Sequence, residues 1–144
     1  MKNDSLLVPA IKADDLKAVK YALSKGEDPN QTQKTNFTCF QYACNFGNFD
    51  IVSELLKAGA EIESRETWLG RTPLMLAVVG VKPKTVELLI ASGADVNAIT
   101  TKGTSVLGFA THHLALAQSD GNSKDEIENA KTIVEMLKKA GAKN

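Results

Sequence analysis

The chain has 144 residues, 43% of them hydrophobic and 24% charged, and its 17 basic side chains balance 17 acidic ones. That length and apolar content suit a single domain with a buried core, and a neutral surface with Lys and Glu interspersed supplies no field to gather a phosphate backbone, so nucleic acid is not an expected partner. No apolar stretch reaches the roughly 20 residues a bilayer-spanning helix needs, and the run Leu6-Leu7-Val8 is too short for a secretory core, so a soluble, cytoplasmic protein without membrane insertion is expected.

Four copies of one pattern follow in chain order. In the first, Ser5 stands where a hydroxyl can cap a helix, Ala10 lies on that helix, Leu16, Val19 and Leu23 mark a second apolar stripe, and Gly26 ends it. The second copy runs Thr38, Ala43, Ile51, Val52, Leu55, Leu56 and Gly59. The third runs Thr72 with Pro73 at the first helical position, Ala77, Val86, Leu88, Leu89, Ile90 and Gly93. In each of these three copies the alanine precedes the glycine by 16 positions, and the glycines recur after 33 and 34 residues. A period near 33 marks a stacked array of helix pairs, with the glycines as left-handed C-terminal caps.

The fourth copy, Ser105 through Ala110 to Gly141 with Ile133, Val134, Met136 and Leu137, carries fifteen extra residues. Leu107, Ala110, Leu114 and Ala117 extend its first helix, Ser119-Asp120-Gly121-Asn122 reads as a turn, and Ser123-Lys124-Asp125-Glu126 is a capping box. Both helices should grow by about two turns and project as a hairpin beyond the other inter-helix loops. Where Leu23, Leu56 and Ile90 share one position, this copy has Lys138, and Lys131, Glu135 and Lys139 add charge to the same helix. The array is therefore expected to be sealed at its fourth repeat.

These residues resemble the ankyrin repeat family. Gly70-Arg71-Thr72-Pro73-Leu74-Met75-Leu76-Ala77 is similar to its Gly-x-Thr-Pro-Leu-x-x-Ala pattern, and Gly93-Ala94-Asp95-Val96-Asn97-Ala98 to its repeat ending. Ala43-Cys44-Asn45-Phe46-Gly47-Asn48 follows the family order in repeat two. The first repeat, with Gly26-Glu27-Asp28-Pro29-Asn30, and the enlarged fourth match less closely, and Val81 departs from the glycine the family has in the inter-helix turn. The resemblance implies an all-α solenoid of four helix-turn-helix repeats with short hairpin-like fingers, forming one domain over residues 1–144 with repeats near 3–35, 36–69, 70–102 and 103–144. The Lys-Lys-Ala-Gly-Ala-Lys ending is similar to bacterial members.

By the same resemblance, a partner protein is expected to lie across the fingers (31–36, 64–69 and 98–102) and the exposed side of the first helices at Lys12, Ala13, Asn45, Phe46, Val79, Gly80, His112 and His113. Apolar and aromatic groups there are Phe37, Phe46, Trp68, Leu69, Val79 and Ile99, joined by Lys102 and His112. Trp68 is the expected anchor, since aromatic and Arg side chains dominate interface energies. The alternative for Trp68 and Phe46 is that they fold back as packing. Arg65 and Arg71 flank Trp68 and could meet carboxylates bidentately. The second finger is one residue longer than the third, counted from Gly59 to Gly70 against Gly93 to Gly103.

Chemistry of other kinds finds little in the sequence. Cys39 and Cys44 lie five positions apart on one predicted helix, about 7.5 Å of rise and about 140° of turn, which does not suit a disulfide. Both are expected as free thiols, with Cys44 packed. His112 and His113 are neighbours about 100° apart on a helix and cannot share a metal ion; His113 should pack and His112 face solvent. No phosphate loop, nucleophile elbow, zinc spacing or cofactor motif is present. The expected function is a non-enzymatic binding module, monomeric when unbound. An inhibitor or immunity protein that occupies an enzyme or toxin active site is the sharper form, and a thiol-dependent enzyme the remote alternative.

Overall fold

The computed structural model describes residues 5–32 and 36–144, so the expected tip of the first finger, residues 33–35, lies outside the described residues. Eight helices among the described residues form four antiparallel pairs: α1 (Leu7–Lys12) with α2 (Leu16–Ser24), α3 (Cys39–Phe46) with α4 (Phe49–Lys57), α5 (Pro73–Val79) with α6 (Pro83–Ala91), and α7 (Val106–Ser119) with α8 (Lys124–Lys139). The first helices pack in the row α1, α3, α5, α7, and the second helices in the row α2, α4, α6, α8. This is the two-layered solenoid the periodicity predicts.

All the helices but α6, which opens on Pro83 behind an uncapping Lys82, begin where the sequence supplies a side-chain cap. Thr38, Thr72 and Ser105 accept hydrogen bonds from the amides of Gln41, Met75 and Gly108. Ser5 does the same for Val8, 3.2 Å away, while Glu27 from the far end of the first pair accepts from the amides of Leu6 and Leu7. Ser123 and Glu126 form the expected capping box. Such caps satisfy N–H groups that have no partner inside the helix. The second helices end at Gly26, Gly59, Gly93 and Gly141, all left-handed with φ of 86°, 97°, 96° and 94°.

One contiguous core fills the space between the rows, with Leu7, Phe40, Ile51, Leu55, Leu74, Met75, Leu76, Leu89, Ile133 and Leu137 all removed from water. Burying a side chain of this size contributes about 1.5–3 kcal/mol, which a lone helix pair could not collect. Leu23, Leu56 and Ile90 are half-buried between neighbouring repeats, and Lys138 at the same position is exposed.

Neighbouring repeats are also tied through polar groups. Asn30 donates to the Gly59 carbonyl and accepts from the Glu61 amide, and Asn97 does the same to Gly141 and Lys143. Between them, Glu63 accepts from the Asp95 amide at 2.8 Å. In the turn of the third pair Val81 adopts φ 54°, a left-handed conformation costly for a β-branched residue, and Asp14 at the same register of the first pair does likewise with φ 55°, so the turn lacking the family's glycine is not shaped apart from the first.

Asn45 corrects an expectation. Placed on the exposed side from the sequence, it is buried and donates to the Leu76 carbonyl at 2.8 Å, because α5 approaches α3 so closely there that the Asn45 backbone touches Gly80. A Cβ on Gly80 would collide with the Asn45 carbonyl. Gly80→Ala is therefore expected to cost about 1–3 kcal/mol by forcing the two helices apart, read as a lower urea midpoint with an unchanged denaturant slope.

Candidate binding surface

The second finger is built around a buried carboxylate. Glu66 is 2% exposed, and its oxygens accept from the amides of Trp68 at 2.8 Å, Leu69 at 2.9 Å and Arg71 at 3.1 Å, and from Arg71 Nε at 3.2 Å. Its own backbone closes the loop, donating to the Arg71 carbonyl and accepting from the Gly70 amide. In the third finger Thr100, seven residues past Gly93 as Glu66 is past Gly59, uses its hydroxyl to accept from the amides of Lys102 and Thr104. The longer finger needs the longer acceptor. Sequence reading passed over Glu66; the signal was its register with Thr100 beside the extra residue.

The two fingers are joined side by side. Arg65 Nη1 donates to the carbonyls of Gly70 at 2.9 Å and Ile99 at 2.6 Å, and Thr101 donates through its amide and hydroxyl to the Leu69 carbonyl. Arg71 pairs with Glu66 and lies 5.9 Å from the centre of the Phe37 ring. The two arginines that could meet a partner's carboxylates thus bond within the chain, Arg71 half-buried and Arg65 exposed with Nη1 engaged, because the bent finger leaves carbonyls and a carboxylate that need donors.

Trp68 does not fold back. It is 73% exposed, with Ile99 at 53% and Phe46 at 58%. Lys102 and His112 are also exposed, whereas Leu69 and Val79 are half-buried and Phe37 is half-buried against the core. Contacts therefore gather Phe37, Arg65, Trp68, Leu69, Arg71 and Ile99 into one finger assembly, with Lys102 on the same third finger. Phe46 and Val79 end their helices about 10 Å from the fingers, and His112 lies on α7. Phe46 rests against Tyr42, ring centres 4.8 Å apart.

Burial raises the Glu66 pKa, but the hydrogen bonds from the amides of Arg71, Trp68 and Leu69 and from the Arg71 side chain outweigh it and hold the carboxyl below its ordinary 4.5. A folded-state value below the unfolded one adds stability that is present above that ordinary pKa and is lost as pH falls through the lower native value. Glu66→Gln is expected to cost about 1–3 kcal/mol in urea unfolding at pH 7 and to make the decline below pH about 4.5 shallower. Part of that decline stays, since Glu27 is also held low: its burial is outweighed by bonds from Ser5, Leu7, Leu6 and Gln31.

The cysteines are free, as expected, and fully buried. Burial pushes Cys39 up to about 12, aided by the charges of Glu27 and Asp28, and pushes Cys44 up further. A thiolate nucleophile needs the opposite shift and access to water. Both thiols are expected to resist alkylation in native buffer at neutral pH and to label fully in denaturant, which mass spectrometry resolves. Among the described residues no group of His, Cys, Asp or Glu is placed to hold a metal ion, and no helix is long and apolar enough to cross a membrane.

A solenoid of stacked helix pairs with tied fingers defines a helical repeat protein. The family model for ankyrin repeats (3 copies) matches residues 7–100, and the chain belongs to the ankyrin repeat family. It is similar to an ankyrin repeat protein of fowlpox virus, 34% identical over 109 residues, which cover 74% of this chain and 32% of the relative. It is also similar to an ankyrin repeat protein of Rickettsia bellii, 32% identical over 123 residues covering 82% of this chain and 18% of the relative. A third relative is the phosphocholine transferase AnkX of Legionella pneumophila, 32% identical over 96 residues, 67% of this chain and 10% of the enzyme. The chain thus spans a third or less of the length of each of these relatives. Ankyrin repeats are in general protein-binding, non-catalytic units.

Proposed function

We propose that this protein is a non-catalytic binding module, acting as one domain, whose contact surface is the joined second and third fingers with the exposed side of the first helices. The observation that carries the reading is Trp68: a large aromatic ring left in water on a finger whose backbone is fixed by a buried carboxylate. Exposing an indole forfeits its burial energy, which a partner surface recovers, and a backbone already ordered spares the partner that cost. Ile99 and Lys102 on the adjacent finger extend the contact, and Phe46, Val79 and His112 supply its helix side. Arg65 and Arg71 serve it by holding the fingers.

Trp68→Ala tests the reading. Because the ring is exposed, folding stability should change by no more than about 0.5 kcal/mol, while affinity for partners captured by the wild-type protein should fall by at least about 30-fold, the scale of an interface hot spot. Unchanged capture of every partner removes the finger surface from the proposal. Light scattering should show a monomer in the absence of partner; a dimer that Trp68→Ala dissolves would move the surface to self-association. If a captured partner is an enzyme or toxin, loss of its turnover at equimolar addition would make the module an inhibitor.

A further inference from the structure

Charge is divided unevenly between the two rows of helices. Helices α3, α5 and α7 contain no Asp, Glu, Lys or Arg, and α1 contains only Lys12, whereas α2, α4, α6 and α8 each carry at least two such residues. Where the first-helix row meets water it presents exposed Phe46, Thr111 and His112 and half-buried Tyr42 and Val79. A helix that faces only water normally sets charged residues on that side. The first-helix row lacks them, and the fingers beside it hold the charge instead.

Two cations stand at the finger ends without a carboxylate. Lys102 is exposed, and its ammonium has no hydrogen-bond or ion-pair partner among the described residues. Arg65 is exposed and engages only Nη1, on the carbonyls of Gly70 and Ile99. Hydrogen bonds gather both around the tryptophan: Arg65 reaches the Ile99 carbonyl at 2.6 Å, and Thr101, next to Lys102, donates its hydroxyl at 3.1 Å to the carbonyl of Leu69, next to Trp68. The acids of the same two fingers are placed or occupied otherwise. Glu66 is buried and paired with Arg71. Glu61, Glu63 and Asp95 lie at the finger roots, close after Gly59 and Gly93, where Glu63 accepts from the Asp95 amide and Asp95 from the Asn97 amide. The finger ends therefore join exposed Trp68 and Ile99 to an excess of positive charge.

We infer that the partner segment held by this surface is acidic and apolar, with an aromatic or aliphatic side chain packed on Trp68 and Ile99 and an adjacent Asp or Glu meeting Lys102 and the free edge of Arg65. The inference rests on the finger surface proposed above and names the chemistry of what that surface holds. A carboxylate beside an apolar group matches both features at once, since a cation with no partner in the free protein loses no internal bond when it pairs. A basic segment would meet two unpaired cations at the finger ends, which selects against it. A phosphate chain draws its affinity from many cations, and a protein of zero net charge offers it few.

The experiment selects a random peptide library displayed on phage against the intact protein. Selected peptides should be enriched in Asp or Glu beside aromatic or aliphatic residues, and Trp68→Ala should release them. Lys102→Glu should weaken them by about fivefold or more, with the difference shrinking at about 0.5 M salt. Replacing the peptide's carboxylate by Lys should restore binding to the Lys102→Glu protein, a swap that a merely structural role for Lys102 would not produce. Thermal unfolding should be equal for wild type and Lys102→Glu, because the side chain is exposed and unpartnered. Peptides without acidic enrichment, no selected peptide, or displacement of the peptides by a single-stranded oligonucleotide would overturn the inference. Peptides released by Trp68→Ala but indifferent to Lys102→Glu would overturn it while leaving the finger surface in place, and peptides indifferent to both variants would remove that surface as well.

Discussion

The protein depends on the packing of each helix pair against the next, because no pair here holds enough apolar surface to fold alone. Leu74, Met75 and Leu76 in α5 are buried only because α3 and α7 flank them, and α5 is a helix of seven residues that would not persist by itself in water. This makes the distance between first helices a controlled quantity. It is set where backbone meets backbone, at Gly80 against Asn45, and locked there by the Asn45 amide on the Leu76 carbonyl. The burial of Asn45 removes one residue from the open face and fixes the spacing of the others on it.

Rigid fingers follow from the same logic at a smaller scale. A finger has too few residues for a core, so its shape must come from hydrogen bonds, and a chain reversal leaves amides pointing inward with no regular partner. In the third finger one hydroxyl is enough. In the second, an extra residue adds an amide, and Glu66 answers with two oxygens that reach Trp68, Leu69 and Arg71. Its charge is then matched by Arg71, since a buried carboxylate without a cation or dense hydrogen bonding would be costly. The finger that presents the tryptophan is therefore the more strongly braced of the two.

The repeats, their glycine caps, the capping hydroxyls and the elongated hairpin were legible in the sequence because each is a local feature, decided within a few residues by backbone geometry and apolar period. The exposure of Trp68 was legible for a related reason: finger residues past the glycine lie outside the helical stripe. What escaped were roles decided by contact across repeats. Arg65 reaches a carbonyl 34 residues away and Asn45 one 31 residues away. Side chains with such reach look solvent-facing on a helical or finger pattern, and only the neighbour's position shows that they are occupied. Phe37 misled in the same way, since the core and Arg71 take up a ring that the finger pattern places outside.

The extra length of the fourth pair is not explained by closing the stack. Leu107, Ala110, Ile133 and Leu137 seal the α5–α6 side, and all lie within the length an ordinary pair would have or in its second-helix equivalent. Over the added turns the buried side chains are Ala117 and Ala130, whose small apolar areas return little at about 25 cal/mol per Å². Leu114 is only half-buried and Leu116 is more exposed than that. The family match ends at residue 100, before α7 begins, so the overhang belongs to the part of the chain that the shared repeat pattern does not describe. The added turns therefore contribute little to the stack as packing, and their stability comes from local terms, the Ser123–Glu126 capping box and the helical hydrogen bonds of α7 and α8.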